Sequence, residues 1–274
     1  MRPIRRHGPG APGASLRHDP SASLRHDPVG DEPILQVHDL EVRYQGALGV
    51  GSVSLEVRQG ECVAILGANG AGKTTTLRAI SGFVPGDRAR ISRGTVTVAG
   101  SSTAGKSPSE MARRGVALVP ERSKVFARLT VWQNLLVVDT GRPVRSEALD
   151  QVTTLFPVLG ERAKQLAGSM SGGERQMLAI ARALLLDPSL LLIDELSFGL
   201  APVVIDEIID KLLQLSTDKR AIVVVEQSAA VAAALASRAY VLSSGKVVAH
   251  GPIDEILATS TAETAYLGMD GTGR

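Results

Sequence analysis

The run Gly67-Ala68-Asn69-Gly70-Ala71-Gly72-Lys73-Thr74-Thr75 sets glycines, an ammonium and hydroxyls at a spacing suited to holding a polyphosphate. Glycines let the backbone wrap closely, so that successive N–H groups point inward at an anion, and a helix N-terminus adds partial positive charge at the same place. Lys73 then reaches the terminal phosphates, and the Thr74 hydroxyl suits a magnesium ion bridging them. The flanks agree. Cys62 to Leu66 is an apolar run that predicts a buried strand, and Thr76 to Ile80 predicts the first turns of a helix. The plainer alternative is a glycine-rich turn without a ligand, but a pattern of this length between a strand and a helix favours a nucleoside triphosphate site.

A second group of chemically able residues closes the apolar run Leu190-Leu191-Leu192-Ile193 with Asp194 and Glu195. A strand of this kind delivers its carboxylates to the carboxyl edge of a parallel sheet, where open α/β folds bind ligands. Asp194 is placed to hold magnesium, and Glu195 to orient and deprotonate an attacking water. Acidic residues after a strand are often helix caps; the phosphate loop upstream favours catalysis. Between these groups, Ser171-Gly172-Gly173-Glu174 opens an apolar helix. Locally it reads either as a cap or as a further phosphate holder. Tyr44, at the end of a strand, is either a core aromatic or a ring for stacking on a purine.

The elements that must position these residues alternate strand and helix, which predicts an α/β fold. Ile34–Val37 and Leu40–Tyr44 read as two paired strands, followed by strands at Val53–Val57, Thr95–Val98, Val116–Val119 and Ala221–Val225. Helical patterns fill Thr130 to Leu166, an inserted helical section in which Trp132 is expected to pack rather than to contact a ligand. Pro202 to Leu215 is amphipathic, with Ile205, Ile208, Ile209, Leu212 and Leu215 on one face. Tyr240 to Val248 predicts a hairpin turning at Ser244-Gly245.

The 274 residues fit one large domain with an insertion. A net charge of +2 gives no argument for nucleic acid as a partner, and the single cysteine, Cys62, excludes a disulfide within the chain or a cysteine metal site. No run approaches the roughly 18–20 apolar residues of a membrane span, so a membrane connection is expected through a partner. Residues 1–32 are rich in Pro, Gly, Ser, Arg and His and repeat Ala14–Pro20 as Ala22–Pro28. That composition predicts a disordered extension with neither a secretory signal nor a metal site at His7, His18 and His26.

In this order and spacing, the motifs over about residues 34–268 resemble the ATP-binding subunits of ABC transporters. The resemblance implies a P-loop NTPase core of ABC type over residues 33–270. It adds an N-terminal antiparallel β subdomain and a helical subdomain inserted at about 122–168 in the RecA-like core. Gly67–Thr75 corresponds to the Walker A loop, Ser171–Gln176 to the signature motif and Leu190–Glu195 to the Walker B strand. The implied cofactors are ATP and Mg2+. The nucleotide is bound by Tyr44, which matches the family's adenine-stacking aromatic, by Gly67, Asn69, Gly70, Ala71, Gly72, Lys73, Thr74 and Thr75, and by Ser171, Gly172, Gly173 and Glu174 of a neighbouring subunit. Thr74, Asp194 and Glu121 are implied at the metal, and Glu195, Lys73 and Gln227 in catalysis.

Val119-Pro120-Glu121-Arg122, Leu129-Thr130-Val131 and Glu195–Pro202 look like the second ATPase of branched-chain amino-acid importers. That likeness implies a related hetero-partner ATPase, two membrane permeases, indirect work with an extracytoplasmic solute-binding protein, and a place at the cytoplasmic face of the membrane. Urea or amide uptake, or a soluble non-transport ABC ATPase, are the alternatives. This sequence departs from the common family pattern at Glu121, where a glutamine is usual, at Leu196, where a proline is usual, and at Gln227, which stands in place of a histidine.

Overall fold

The computed structural model describes residues 32–84, 89–122, 124–138, 144–216 and 220–259. The repeated N-terminal stretch and its histidines, and the end of the expected domain after residue 259, lie outside these residues.

Strands β1 (Pro33–Tyr44) and β2 (Ala47–Arg58) pair antiparallel through Gln45-Gly46, both at positive φ as a two-residue hairpin turn requires. The sequence separates Ile34–Val37 from Leu40–Tyr44 as partners of each other, yet they are two halves of β1. The register shifts between Val37 and Leu40, Asp39 adopts a φ of 47°, and its N–H donates to Ser54 Oγ at 2.9 Å. The polar pair His38-Asp39 is therefore a bulge within one strand rather than a turn between two. On its other edge β1 meets β4 (Ala89–Val98), which carries the short β5 (Ser101–Ser102).

This antiparallel part continues into a parallel one. β3 (Cys62–Leu66), β6 (Val116–Val119), β7 (Leu190–Asp194), β8 (Ala221–Glu226) and β9 (Arg238–Ser243) run together, and β10 (Lys246–Pro252) folds back on β9 through Ser244-Gly245. The strand order across all ten is β5-β4-β1-β2-β10-β9-β3-β8-β7-β6. Every residue of β3, β7 and β8 is buried, which explains why they read as continuous apolar runs rather than alternating ones. Their side chains still divide by parity. Cys62, Ala64 and Leu66 face one core and Val63 and Ile65 the other. Burial pushes the Cys62 thiol up to about 12, so it serves as a small apolar side chain.

One core is closed by α1 (Lys73–Ile80), α2 (Pro108–Arg113) and the antiparallel strands. The other is closed by α3 (Val131–Leu136), α4 (Ser146–Leu155), α5 (Pro157–Glu161), α6 (Gly172–Leu184), α7 (Pro202–Ser216), α8 (Ala229–Leu235) and α9 (Ile253–Leu257). Within this second core Phe156 and Leu159 are fully buried, each worth about 1.5–3 kcal/mol of transfer free energy. Trp132 packs only in part. It is 38% exposed on the outer side of α3, near in sequence to Leu136 and Val137, which are exposed too. Among the described residues no helix is long and apolar enough to cross a membrane.

Candidate nucleotide site

The strand register builds the site. Leu66 at the end of β3 lies opposite Glu226 at the end of β8, Asp194 at the end of β7 lies opposite Val225, and Val119 of β6 lies opposite Ile193. The phosphate loop, the Asp194-Glu195 pair, Glu226-Gln227 and Glu121 thus leave the same edge of the parallel sheet. There the carbonyl ends of the strands stop and helix N-termini begin. A cleft of about 510 Å3 opens along this edge, lined by the loop from Asn69 to Thr75 and by Glu121, Glu195 and Gln227. Leu48, Gly49, Arg122 and Phe198 line it as well.

Local conformation explains the loop's composition. Gly67, Gly70 and Gly72 all have positive φ, and a Cβ on Gly67 would lie 2.2 Å from the Leu242 carbonyl oxygen. Any larger residue there would force the loop off β9. Lys73, the first residue of α1, is 5% exposed; its Nζ donates to the carbonyls of Gly67 at 2.7 Å and Ala68 at 3.2 Å and stands 3.5 Å from Glu195 Oε1. The Thr74 hydroxyl donates to Asp194 Oδ1 at 3.0 Å.

Glu195 has a φ of 54°, a left-handed conformation that costs a non-glycine residue about 1 kcal/mol or more. Its N–H is held by the Val225 carbonyl at 3.0 Å, so the strand below fixes the strained position. Gln227 Nε2 donates both to Glu195 Oε1 at 3.0 Å and to Asn69 Oδ1 at 2.8 Å. One amide thereby ties the carboxylate to the phosphate loop. Burial, with Glu195 and Glu121 adding negative charge nearby, pushes Asp194 up to about 6 against the pull of the Thr74 hydrogen bond. A buried carboxylate crowded by two others is stabilised in its charged form by a nearby cation.

Tyr44 is half-buried. Its hydroxyl lies 3.2 Å from Thr75 Oγ1, and its ring lies over Gly49, where a Cβ would come within 2.7 Å of Cε2. The ring edges the phosphate loop through Thr75 while Leu48 and Gly49 line the cleft beside it.

The structure does not bring Ser171, Gly172, Gly173 and Glu174 to this cleft. Ser171 caps α6 in a reciprocal box, its Oγ accepting from the Glu174 N–H and the Glu174 carboxylate accepting from the Ser171 N–H. Glu174 also pairs with Arg162 at 3.0 Å. Ser171 and Gly172 are exposed, whereas Gly173 packs on α7, where a Cβ would meet Val204 Cγ1 at 2.3 Å. Sequence reasoning missed Leu48, Gly49, Arg122 and Phe198 in the lining. Phe198 is 63% exposed, an aromatic in the run after Glu195 that no core position claims; Leu48 and Gly49 carry no local signal.

Residues 50–197 match the family model described as ABC transporter. The chain is 43% identical over 218 residues to the high-affinity branched-chain amino acid transport ATP-binding protein BraG of Pseudomonas aeruginosa, covering 79% of this chain and 91% of that one. It is 33% identical over 242 residues to the lipopolysaccharide export system ATP-binding protein LptB of Escherichia coli, covering 86% of this chain and 98% of the relative. Among solved structures, an ATP-binding cassette of an ABC transporter in an ADP conformation superposes with a TM-score of 0.76 at 23% identity, over 86% of this chain and 99% of that one.

Proposed function

This chain belongs to the ABC transporter family as an ATP-hydrolysing, ATP-binding subunit, and from that premise we propose that it powers uptake of a branched-chain amino acid or a similar small solute through membrane permeases. The observation that carries the reading is the single carboxyl edge on which Lys73, Asp194, Glu195 and Gln227 converge beside the phosphate loop. The relative named for branched-chain amino acid transport supports the cargo class.

The proposed reaction uses the chain's own groups in distinct roles. The loop amides and Lys73 bind the β- and γ-phosphates of ATP. Glu195 takes a proton from a water whose oxygen attacks the γ-phosphorus as the bond to the ADP oxygen breaks, giving ADP and phosphate. Gln227 orients Glu195 through the 3.0 Å hydrogen bond and, as an amide, adds no positive charge. Thr74, Asp194 and Glu121 are hard oxygen donors that fit Mg2+, an ion commonly held by one or two carboxylates together with substrate phosphates. Bound there, Mg2+ neutralises charge on the phosphate oxygens.

Ser171 and Gly173 lie outside their own chain's cleft, which fits a sandwich in which they face the nucleotide held by the other ATPase subunit. That partner is proposed to be a related chain. Phe126, Trp132, Leu136, Val137 and Leu166 expose an apolar surface along and beside α3, suited to docking the permeases at the cytoplasmic face of the membrane. The test is uptake in proteoliposomes that contain the permeases, both ATPases and the solute-binding protein. ATP-driven accumulation of leucine, isoleucine or valine that stops with Glu195→Gln is expected; ATP hydrolysis without uptake of any of the three would move the cargo to another class.

A further inference from the structure

Glu226 is fully buried at the end of β8, yet the family reading gives it no task. Its two oxygens gather donors from two loops. Oε1 accepts from the Ser197 N–H at 2.8 Å; Oε2 accepts from the Ser197 hydroxyl at 2.8 Å, the Gln227 N–H at 3.1 Å and the Ser228 N–H at 3.4 Å. The described residues place no lysine or arginine in a salt bridge with it. Burial raises its pKa, with the donors of Ser197 and Ser228 pulling the other way. A structural staple between loops rarely needs a buried charge, because an amide or hydroxyl would do so at lower desolvation cost. What an ionised carboxylate uniquely offers is acceptors on both oxygens, with no donor to turn toward N–H groups.

The two loops it joins are those of the catalytic pair. Ser197 lies two residues after Glu195, whose backbone is held in the left-handed region, and Gln227 directly follows Glu226. We propose that Glu226 is a positioning residue, which sets the 3.0 Å contact between the Gln227 amide and the Glu195 carboxylate by anchoring Ser197 and the Gln227 backbone to one buried carboxylate. Without it, Ser197 and the Gln227 backbone lose their common anchor, and the Glu195 turn is held to β8 by the Val225 carbonyl but no longer by Ser197. This role rests on the hydrolytic function proposed for Glu195 and Gln227. It also gives the loop that carries exposed Phe198 a direct link to the catalytic carboxylate, since Phe198 follows Ser197.

The test is a set of double-variant cycles among Glu226→Gln, Ser197→Ala and Gln227→Ala in the full chain, assembled with the partners that support turnover. Steady-state hydrolysis, ATP binding and melting are measured together. Glu226→Gln puts an NH2 against N–H donors and is expected to lower kcat about tenfold, and Ser197→Ala about threefold, with KM for ATP changed by less than about twofold. In the Gln227→Ala background each is expected to cost less than about a further twofold, because the partner it positions is gone. Should Glu226→Gln fail to fold, the Ser197→Ala and Gln227→Ala cycle carries the same test. Losses that multiply in the double variants, or an unchanged kcat, overturn the role. So does a fall in ATP affinity and melting temperature that accounts for the whole loss of turnover. A wild type unable to hydrolyse ATP overturns the reaction and this role with it, whereas an active wild type matched by an equally active Glu226→Gln overturns the role alone.

Discussion

The carboxyl edge of the parallel sheet and the Ser171 turn at the head of α6 both have the chemistry to hold phosphate, but they are built in opposite ways. At the sheet edge Lys73 and Gln227 meet Glu195 and Thr74 meets Asp194 inside one chain, and the lysine and the two carboxylates are nearly sealed from solvent. At the Ser171 turn, the side chains cap the helix end and Glu174 pairs with Arg162, while the serine and first glycine are exposed. The two regions differ in preorganisation: the first is bonded and buried within one chain, whereas the second, in the sandwich proposed above, would act only against a nucleotide held by the other subunit. Charge inside a dry, preorganised edge acts strongly; charge and amides on an exposed turn act only once a partner excludes water.

The largest loss is expected at Lys73. Lys73→Ala removes the ammonium from the sheet edge and is expected to lower ATP turnover by about a thousandfold, as losses of preorganised phosphate contacts do. Steady-state phosphate release checks this, and a loss under tenfold would mean that the edge is not the reacting half. Ser171→Ala sharpens the contrast. It is expected to lower turnover of the assembled ATPase pair about tenfold while leaving ATP affinity of the isolated chain unchanged, with about 1 kcal/mol lost from the α6 cap. Weaker nucleotide binding by the isolated variant would place Ser171 in its own chain's site after all.

The smallest effect concerns pH. Asp194, raised to about 6 by burial, is protonated below that value and then cannot hold a cation, so Mg2+-dependent nucleotide affinity is expected to fall severalfold between pH 7 and pH 5. The sign on stability follows from the same shift. The folded carboxyl binds its proton more tightly than the unfolded one, so this group's contribution to metal-free stability is greatest below about pH 4 and declines as pH rises toward 6. Titration of Mg2+-nucleotide binding against pH, with Asp194→Asn as the flat control, reads it.

Contiguous features were legible in the sequence. The phosphate loop, the β7 carboxylates and the α6 cap each lie within about ten residues, so residue type and spacing locate them before any contact is known. Features that depend on register were not. Glu226 gains the two Ser197 donors only because β7 and β8 pair with Asp194 opposite Val225, which brings Ser197 back over the end of β8. The bulge at Asp39 merges two apparent strands because a left-handed residue can sit inside a ladder as well as at a turn. Trp132 reads as a packing residue from the pattern around it, but α3 is short and leaves it partly exposed. Tyr44 left its two uses open in sequence, and its hydroxyl contact with Thr75 and ring over Gly49 arise from the β1–β2 hairpin lying beside the loop.

The most direct measurement is Mg2+-dependent phosphate release by the assembled ATPase, comparing wild type with Glu195→Gln at saturating ATP. Wild-type turnover that needs Mg2+ and drops by at least about a hundredfold in Glu195→Gln, with ATP still bound, is the predicted result. Equal turnover in the two proteins, or turnover indifferent to Mg2+, would contradict it.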